Sequence, residues 1–237
     1  MNSAMPLLQL HASTLGVALT DEMLQKFALY LSLLLEWNKK MNLTAIKDPQ
    51  QIVIKHFVDS LSLLQYMDIP KNAAVIDVGT GAGFPGVPLA IVRPDIRLVL
   101  LDSLGKRIMF LQTVAQQLSI AAQMLHARAE EAGQKQQYRE KFDIAVSRAV
   151  AALPVLVEYC LPLVKPGGVF AAMKGPQAHE ELQQAKNAIA LLGGAVKKEY
   201  AFELPGAGAR TLLFIDKIGT TEKKYPRHGA KIVKKPL

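Results

Sequence analysis

The sequence predicts an α/β fold: a seven-stranded, mostly parallel sheet with a C-terminal antiparallel hairpin, preceded by an N-terminal helical cap. Three observations carry this. From Ala73 onward, short β-branched and apolar runs alternate with helical stretches, which implies a parallel sheet covered on both faces. The last two runs are joined only by "PGAGA" (205–209), far short of the dozen or so residues a parallel crossover needs, so they pair antiparallel. Before residue 72 the apolar spacing is helical instead.

In the cap, Thr20 suits an N-cap, with Asp21 and Glu22 at the positive end of the helix dipole. Met23, Leu24, Phe27, Leu31, Leu34 and Leu35 then recur on one face. After a turn at Asp48-Pro49, a second helix is expected over 50–66, with Ile52, Val53, Phe57, Leu61 and Leu64 inward. The expected strands are 73–79, 97–102, 123–128, 142–149, 167–175, 195–204 and 210–218, and the clearest helices between them are 105–118 and 178–192. This divides the chain into a cap (1–72), a ligand-binding domain (73–218) and a basic tail (219–237).

Of the 237 residues half are hydrophobic and 20% charged, a balance that supports a packed core and excludes extensive disorder. The formal charge is +8, and seven Lys/Arg against Glu222 alone place +6 of it from Lys217 onward. A near-neutral globule with a basic end points to a polyanionic partner, nucleic acid or an anionic membrane surface. The single cysteine, Cys160, excludes an internal disulfide framework and a cysteine-based metal cluster, and fits a reducing, cytoplasmic setting. The uncharged first 20 residues lack the basic start of an export signal and are interrupted by Pro6, Gln9, His11, Ser13 and Thr14. Val78–Val92 carries four glycines and two prolines, so it is no membrane span.

The first strand ends in "DVGTGAGFPG" (77–86). Gly79, Gly81 and Gly83 permit positive φ and leave out Cβ, so backbone can lie against a nucleotide-like ligand between a strand and a helix. Asp102, ending the second strand, stands where a carboxylate accepts from ribose hydroxyls, and it equally suits a helix cap. Both features serve a dinucleotide or S-adenosylmethionine (SAM). The antiparallel end, with no substrate domain after it, favours SAM.

In order along the chain stand "WNKKMNLTAI" (37–46), "HFVDSL" (56–61), "DVGTGAGFPGVPLAI" (77–91), "LLDSLGKRIMFL" (100–111), "ARAEE" (127–131), "VSRAVA" (146–151) and "MKG" (173–175). Together they resemble the RsmG (GidB) family of bacterial 16S rRNA (guanine-N7) methyltransferases, from about Leu35 to the basic end. The resemblance implies a class I SAM-dependent methyltransferase fold, Rossmann-like, and methyl transfer from SAM to N7 of a guanine in 16S rRNA. It carries cofactor contacts to Gly79, Phe84, Ala129, Glu130 and Arg148; Arg148 faces either the SAM carboxylate or the incoming nucleotide.

The rest of the sequence suits N7 chemistry. Cytosine C5 transfer needs a cysteine nucleophile, and Cys160 lies in the apolar "VEYCLPL". The Asn/Asp-Pro-Pro-aromatic loop of amine methylation is replaced by "SRAVAALP" after the fourth strand. Arg148 and Lys174 are expected to position the reactants, with no general base and no metal. Lys174, Arg210, Lys223, Lys224 and Arg227 are expected to meet RNA, and Trp37 and Tyr225 are possible stacking groups. His56, Asp59 and Ser60 read as either functional or ties between cap and sheet. The expected partner is 16S rRNA or the small ribosomal subunit, met by a cytoplasmic monomer without a membrane. Two other readings stay open: a nicotinamide-dependent oxidoreductase using the same loop, and a catalytically silent RNA-binding assembly factor.

Overall fold

Apolar runs bounded by turn residues set the strands of the computed structural model, which describes residues 3–237. The cap holds α1 (Ala4–Thr14), α2 (Asp21–Met41) and three short helical pieces, α3 (Pro49–Ile52), α4 (Asp59–Leu61) and α5 (Leu63–Tyr66). Then follow β1 (Ala74–Val78), α6 (Gly86–Val92), β2 (Arg97–Asp102), α7 (Gly105–Gln117), β3 (Ala122–His126) and α8 (Ala129–Gln134). After them come β4 (Phe142–Arg148), α9 (Leu153–Cys160), β5 (Val164–Lys174), α10 (Ala178–Leu191), β6 (Gly194–Leu204), β7 (Gly208–Lys217) and α11 (Gly229–Lys234). The sheet order is β3-β2-β1-β4-β5-β7-β6, with β1 to β5 parallel and β7 antiparallel to both neighbours. Strand order reverses between β1 and β4, which opens a crevice beyond their C-terminal ends.

The core lies on both faces. On one, α1, α2 and the 49–66 segment pack with α6 and α7 in a single apolar cluster that includes Phe27, Tyr30, Phe57 and Phe110. On the other, α9 and α10 cover Ile76, Val99, Phe170 and Leu213, and Cys160 is fully buried among them. Thr20 caps α2 as expected, accepting from the Met23 amide at 3.3 Å. Residues 4–14, which carry no motif, form a helix that buries Leu8 and Ala12 against the 49–66 segment. No helix among the described residues is long and apolar enough to cross a membrane.

Two expectations are corrected. The 50–66 helix is not continuous: Val53–Val58 is a π turn between α3 and α4. Hydroxyls of Ser60 and Ser62 bond the carbonyls of His56 and Asp59, each at 2.6 Å, and so take acceptors that a regular helix would use. Nor do residues 219–237 form a free tail. The Arg139 guanidinium donates to the carbonyls of Thr221, Glu222 and Tyr225, tying the segment to the end of α8. Arg227, expected on a phosphate, pairs with Glu158 at 2.6 Å, and that carboxylate is wholly buried. Lys217 is equally buried, against Glu140 at 3.2 Å and the Leu161 carbonyl at 2.8 Å. Tyr225, expected as a stacking group, is buried too.

Removing one partner of a buried ion pair strands the other charge, at a cost of about 3–5 kcal/mol. Arg227→Ala is therefore expected to lower unfolding free energy by about 3 kcal/mol or more in a urea titration. The exposed Lys223→Ala should stay within about 0.5 kcal/mol of the parent. A stability unchanged by Arg227→Ala would show that the pair does not hold this segment down.

Candidate functional site

Beyond the C-terminal ends of β1 and β4 lies a cleft of about 660 Å³, walled by Gly79, Asp102, Ala129 and Glu130 on one side and by Ala149–Ala152 on the other. Gly79 has φ +69°, and a Cβ there would stand 2.5 Å from Val150, so close approach of the facing loop excludes any side chain. Gly81, at φ +62°, donates its amide to Asp102 at 2.9 Å. The Asp102 carboxylate also accepts from the Leu104 amide at 2.9 Å and from Arg107 at 3.2 Å. It thus organises the next helix start and still lines the cleft, so its two readings coexist.

Asp77 stiffens the glycine loop from beneath. Fully buried, it accepts from the Thr80 hydroxyl at 2.7 Å and the Gly86 amide at 2.8 Å, while Oδ1 has no partner. Burial raises its pKa to about 6 against these bonds.

Gly83 and Phe84 lie elsewhere than the sequence suggests. A Cβ on Gly83 would meet the Tyr30 hydroxyl at 2.6 Å, so this glycine makes room for the cap. Phe84 is buried, stacked on His56 with ring centroids 4.7 Å apart, and the Arg148 guanidinium sits 4.9 Å above its ring. Neither residue borders the cleft; Phe84 instead backs the neighbouring pocket through His56 and Arg148.

That pocket, of about 520 Å³, adjoins the cleft at Ala149 and is lined by Lys55, His56, Asp59, Arg148, Lys174 and Arg210. Asp59 gives one oxygen to Arg148 at 2.8 Å and the other to Arg210 at 3.0 Å. Arg148 also donates to the Lys55 carbonyl at 3.1 Å and to His56 Nδ1 at 3.1 Å. A guanidinium only donates, so Nδ1 is unprotonated and Nε2–H faces the Thr44 hydroxyl at 2.9 Å. Thr44 is held in turn by two 2.9 Å bonds with Asn38. Burial and then the Arg148 charge push the His56 pKa down to about 3, so the ring is neutral. With these bonds made, Arg148 keeps its Nε–H and one Nη2–H, and Arg210 keeps Nη2. The π turn sets His56 and Asp59 side by side for this purpose.

Lys174 meets Glu181 at 2.6 Å and the Ala151 carbonyl at 2.9 Å, while Glu181 accepts from the Leu153 amide at 2.6 Å. Its ammonium thus holds the loop after β4. Arg227 does not line this pocket and is committed to Glu158, while Lys223 and Lys224 are exposed. Trp37 packs half-buried on Phe110.

Gly79, Asp102, Ala129 and Glu130 therefore share the cleft, and Arg148, Lys174 and Arg210 share the pocket beside it. Thr44, Glu181, Val150 and Tyr159 were missed. Thr44 lies inside a quoted motif and was legible there; Glu181 has no local signal, because its partners lie in other segments. Among the described residues no cluster of three or more His, Cys, Asp or Glu is placed to hold a metal.

Comparison with known proteins follows the same lines. The family model of rRNA small subunit methyltransferase G (GidB) matches residues 23–207. Proteins named ribosomal RNA small subunit methyltransferase G are similar over almost the whole chain. That of Alkaliphilus oremlandii is 51% identical over 228 residues, covering 95% of each chain, and that of Alkaliphilus metalliredigens 49% over 225 residues, 94% of each. That of Desulforamulus reducens is 45% identical over the full length of both. Among solved structures, TrmN from Thermus thermophilus superposes with TM-score 0.53 at 18% identity, over 70% of this chain and 53% of its own. The cyclase SpnF gives 0.52 at 13%, over 68% and 82%. At such identities these two show the fold alone, that of class I methyltransferases.

His56 yields a pH prediction. Its folded pKa of about 3 lies below the ordinary 6.5, so between those values the unfolded chain takes the proton and the folded chain does not. Stability present above pH 6.5 is thus lost as pH falls. His56→Asn keeps an acceptor for Arg148 but does not titrate. The drop in melting temperature from pH 7 to about pH 4.5 should be smaller in that variant than in the parent. Asp77 contributes with the opposite sign in both proteins and cancels in the difference. Equal slopes would contradict the neutral, buried imidazole.

Proposed function

The chain belongs to the rRNA small subunit methyltransferase G family, and on that premise we propose that it transfers the methyl group of SAM to N7 of a guanine in 16S rRNA, in the cytoplasm. The observation that supports this most is the pairing of two adjoining cavities. One is lined by a glycine loop and two carboxylates, the other by two arginines fixed on a single aspartate.

The cleft fits SAM: Gly79 lets backbone approach, Asp102 can accept from ribose hydroxyls, and Glu130 lines the same wall. Bound there, SAM supplies an electrophilic methyl on a cationic sulfur. The protein then has to orient. Guanine N7 has a free lone pair at neutral pH, so no side chain has to remove a proton before the N–C bond forms and the C–S bond breaks. The sulfur keeps the bonding electrons and loses its charge, which passes to the methylated purine.

Arg148 lines the pocket and not the cleft with Gly79 and Asp102, which favours the nucleotide over the SAM carboxylate as its partner. Its remaining N–H groups, with Arg210 Nη2 and Lys55, suit guanine O6 and the flanking phosphates. His56, Asp59 and Phe84 position Arg148, and Lys174 positions the loop between the cavities. Lys223 and Lys224 add exposed charge for phosphates. The cap, the sheet domain and the C-terminal segment act as one unit in this reading, which a monomer satisfies.

Labelled SAM and small-subunit RNA from a strain lacking the gene test it: label on guanine N7 is the expected product. No label would favour a silent assembly factor, and saturable NAD binding without SAM binding would favour an oxidoreductase. Arg148→Ala should lower transfer by about 100-fold or more, as expected when a positioning contact in the transition state is lost, with SAM affinity nearly unchanged. The double change Lys223→Gln, Lys224→Gln should leave SAM binding intact and reduce the salt slope of RNA binding by about 1.4–1.8. Equal loss of SAM affinity in both variants would overturn this division of roles.

A further inference from the structure

The imidazole of His56 is held by more than the arginine it serves. Its plane is set by Phe84, on which it stacks with ring centroids 4.7 Å apart and 22° between the planes. Stacking leaves one freedom open. A half-turn about the Cβ–Cγ bond keeps the plane but exchanges Nδ1 with Cδ2 and Nε2 with Cε1. Hydrogen bonds tell the two orientations apart. Arg148 donates to Nδ1 at 3.1 Å, and the Thr44 hydroxyl lies 2.9 Å from Nε2.

These two ends of the ring differ in what holds them. Arg148 is a long side chain that lines the pocket and meets whatever enters it. Thr44 is fixed by backbone. Asn42, at φ +48°, ends α2 and turns the chain back, so that Asn38 in the last turn of that helix reaches residue 44. Asn38 is buried and meets both backbone groups of Thr44: Nδ2 donates to the carbonyl and Oδ1 accepts from the amide, each at 2.9 Å. The Thr44 hydroxyl oxygen also accepts from the Ile46 amide at 3.1 Å, which leaves one lone pair for the Nε2–H of His56. Without that hydroxyl the Nε2–H has no acceptor in a partly buried place, and nothing on this side opposes a turned ring. A turned ring takes Nδ1 away from Arg148, which then keeps only the Lys55 carbonyl and Asp59 of the three groups that aim it.

We propose that Thr44, fixed by Asn38, is a positioning residue for methyl transfer: it holds His56 in the Nε2–H form and in the orientation whose Nδ1 aims Arg148 at the pocket. The proposal rests on the reading that this pocket receives the target guanine.

Nitrogen-15 NMR of the full-length, histidine-labelled protein reads the ring, and single-turnover transfer to small-subunit RNA from a strain lacking the gene reads the consequence. The His56 signals are those missing from His56→Asn. In the parent they should show Nδ1 unprotonated and Nε2 protonated. Thr44→Val keeps the shape and removes the hydroxyl. Its His56 signals should change and its transfer rate fall by about tenfold, with the calorimetric affinity for S-adenosylhomocysteine unchanged. Thr44→Ser keeps the hydroxyl and should keep both the parent signals and most of the rate. Placed on Arg148→Ala, the valine change should cost no further rate, because one residue acts through the other. Thr44→Ala reads the same losses if the valine variant fails to fold. An unchanged rate, a lowered rate with parent-like His56 signals, or an equal further loss on Arg148→Ala would each overturn the positioning. A parent protein that transfers no methyl group would instead overturn the guanine reading, and the His56 signals alone would then decide whether Thr44 holds the ring.

Discussion

Asp59, its side chain only 5% exposed, gives one oxygen to Arg148 at the end of β4 and the other to Arg210 at the start of β7. A carboxylate so buried is tolerated only when its charge is met and its lone pairs are filled. The two guanidinium groups do this from different strands, so the bridge fixes cap to sheet at the mouth of the pocket. It also leaves the pocket cationic. Two arginines share one carboxylate, Lys55 adds a further charge nearby, and His56 is held neutral. A protonated His56 would put one more cation against the Arg148 guanidinium and would remove the acceptor that turns Arg148 toward the pocket. Neutrality of the ring is thus a structural requirement, enforced by burial and by the Arg148 charge itself.

The strands were legible because apolar runs and the short 205–209 connection constrain the sheet locally. The discontinuity at Val53–Val58 was not, since a π turn leaves apolar spacing almost intact and shows only in the hydroxyl bonds of Ser60 and Ser62. In the glycine loop the motif was read correctly, but its residues serve two different neighbours. Gly79 lines the cleft and Gly81 bonds Asp102 behind it, whereas Gly83 and Phe84 face Tyr30 and His56 of the cap. A motif specifies which residues are special and not which neighbour demands them.

Charge was the least legible property. Seven cations after residue 216 suggested a free basic tail. Lys217 is instead buried against Glu140, Arg227 against Glu158, and Lys224 pairs with Glu222 at 2.8 Å on the surface. The acids that neutralise the first two lie 77 and 69 positions earlier in the chain, beyond any local count. What remains exposed is Lys223, Lys224, Lys231, Lys234 and Lys235, a cationic surface fixed in place by the folded segment. A fixed surface presents its charge to a polyanion without the ordering cost of a flexible arm.

The loop after β4 connects these parts. Ala149 adopts φ +54° and borders both cavities, and Val150 presses on Gly79. The carbonyl of Ala151 and, through Glu181, the amide of Leu153 are held by Lys174. A non-glycine residue in the left-handed region persists only where its surroundings over-determine it, and here they do so from both sides. The missing Cβ at Gly79 accordingly answers to the loop as well as to any ligand. Lys174 is 9% exposed and already has two partners, so its influence passes through the backbone it holds. Removing its ammonium would free the one segment that forms a wall of both cavities, and would disturb each without contact to what either contains.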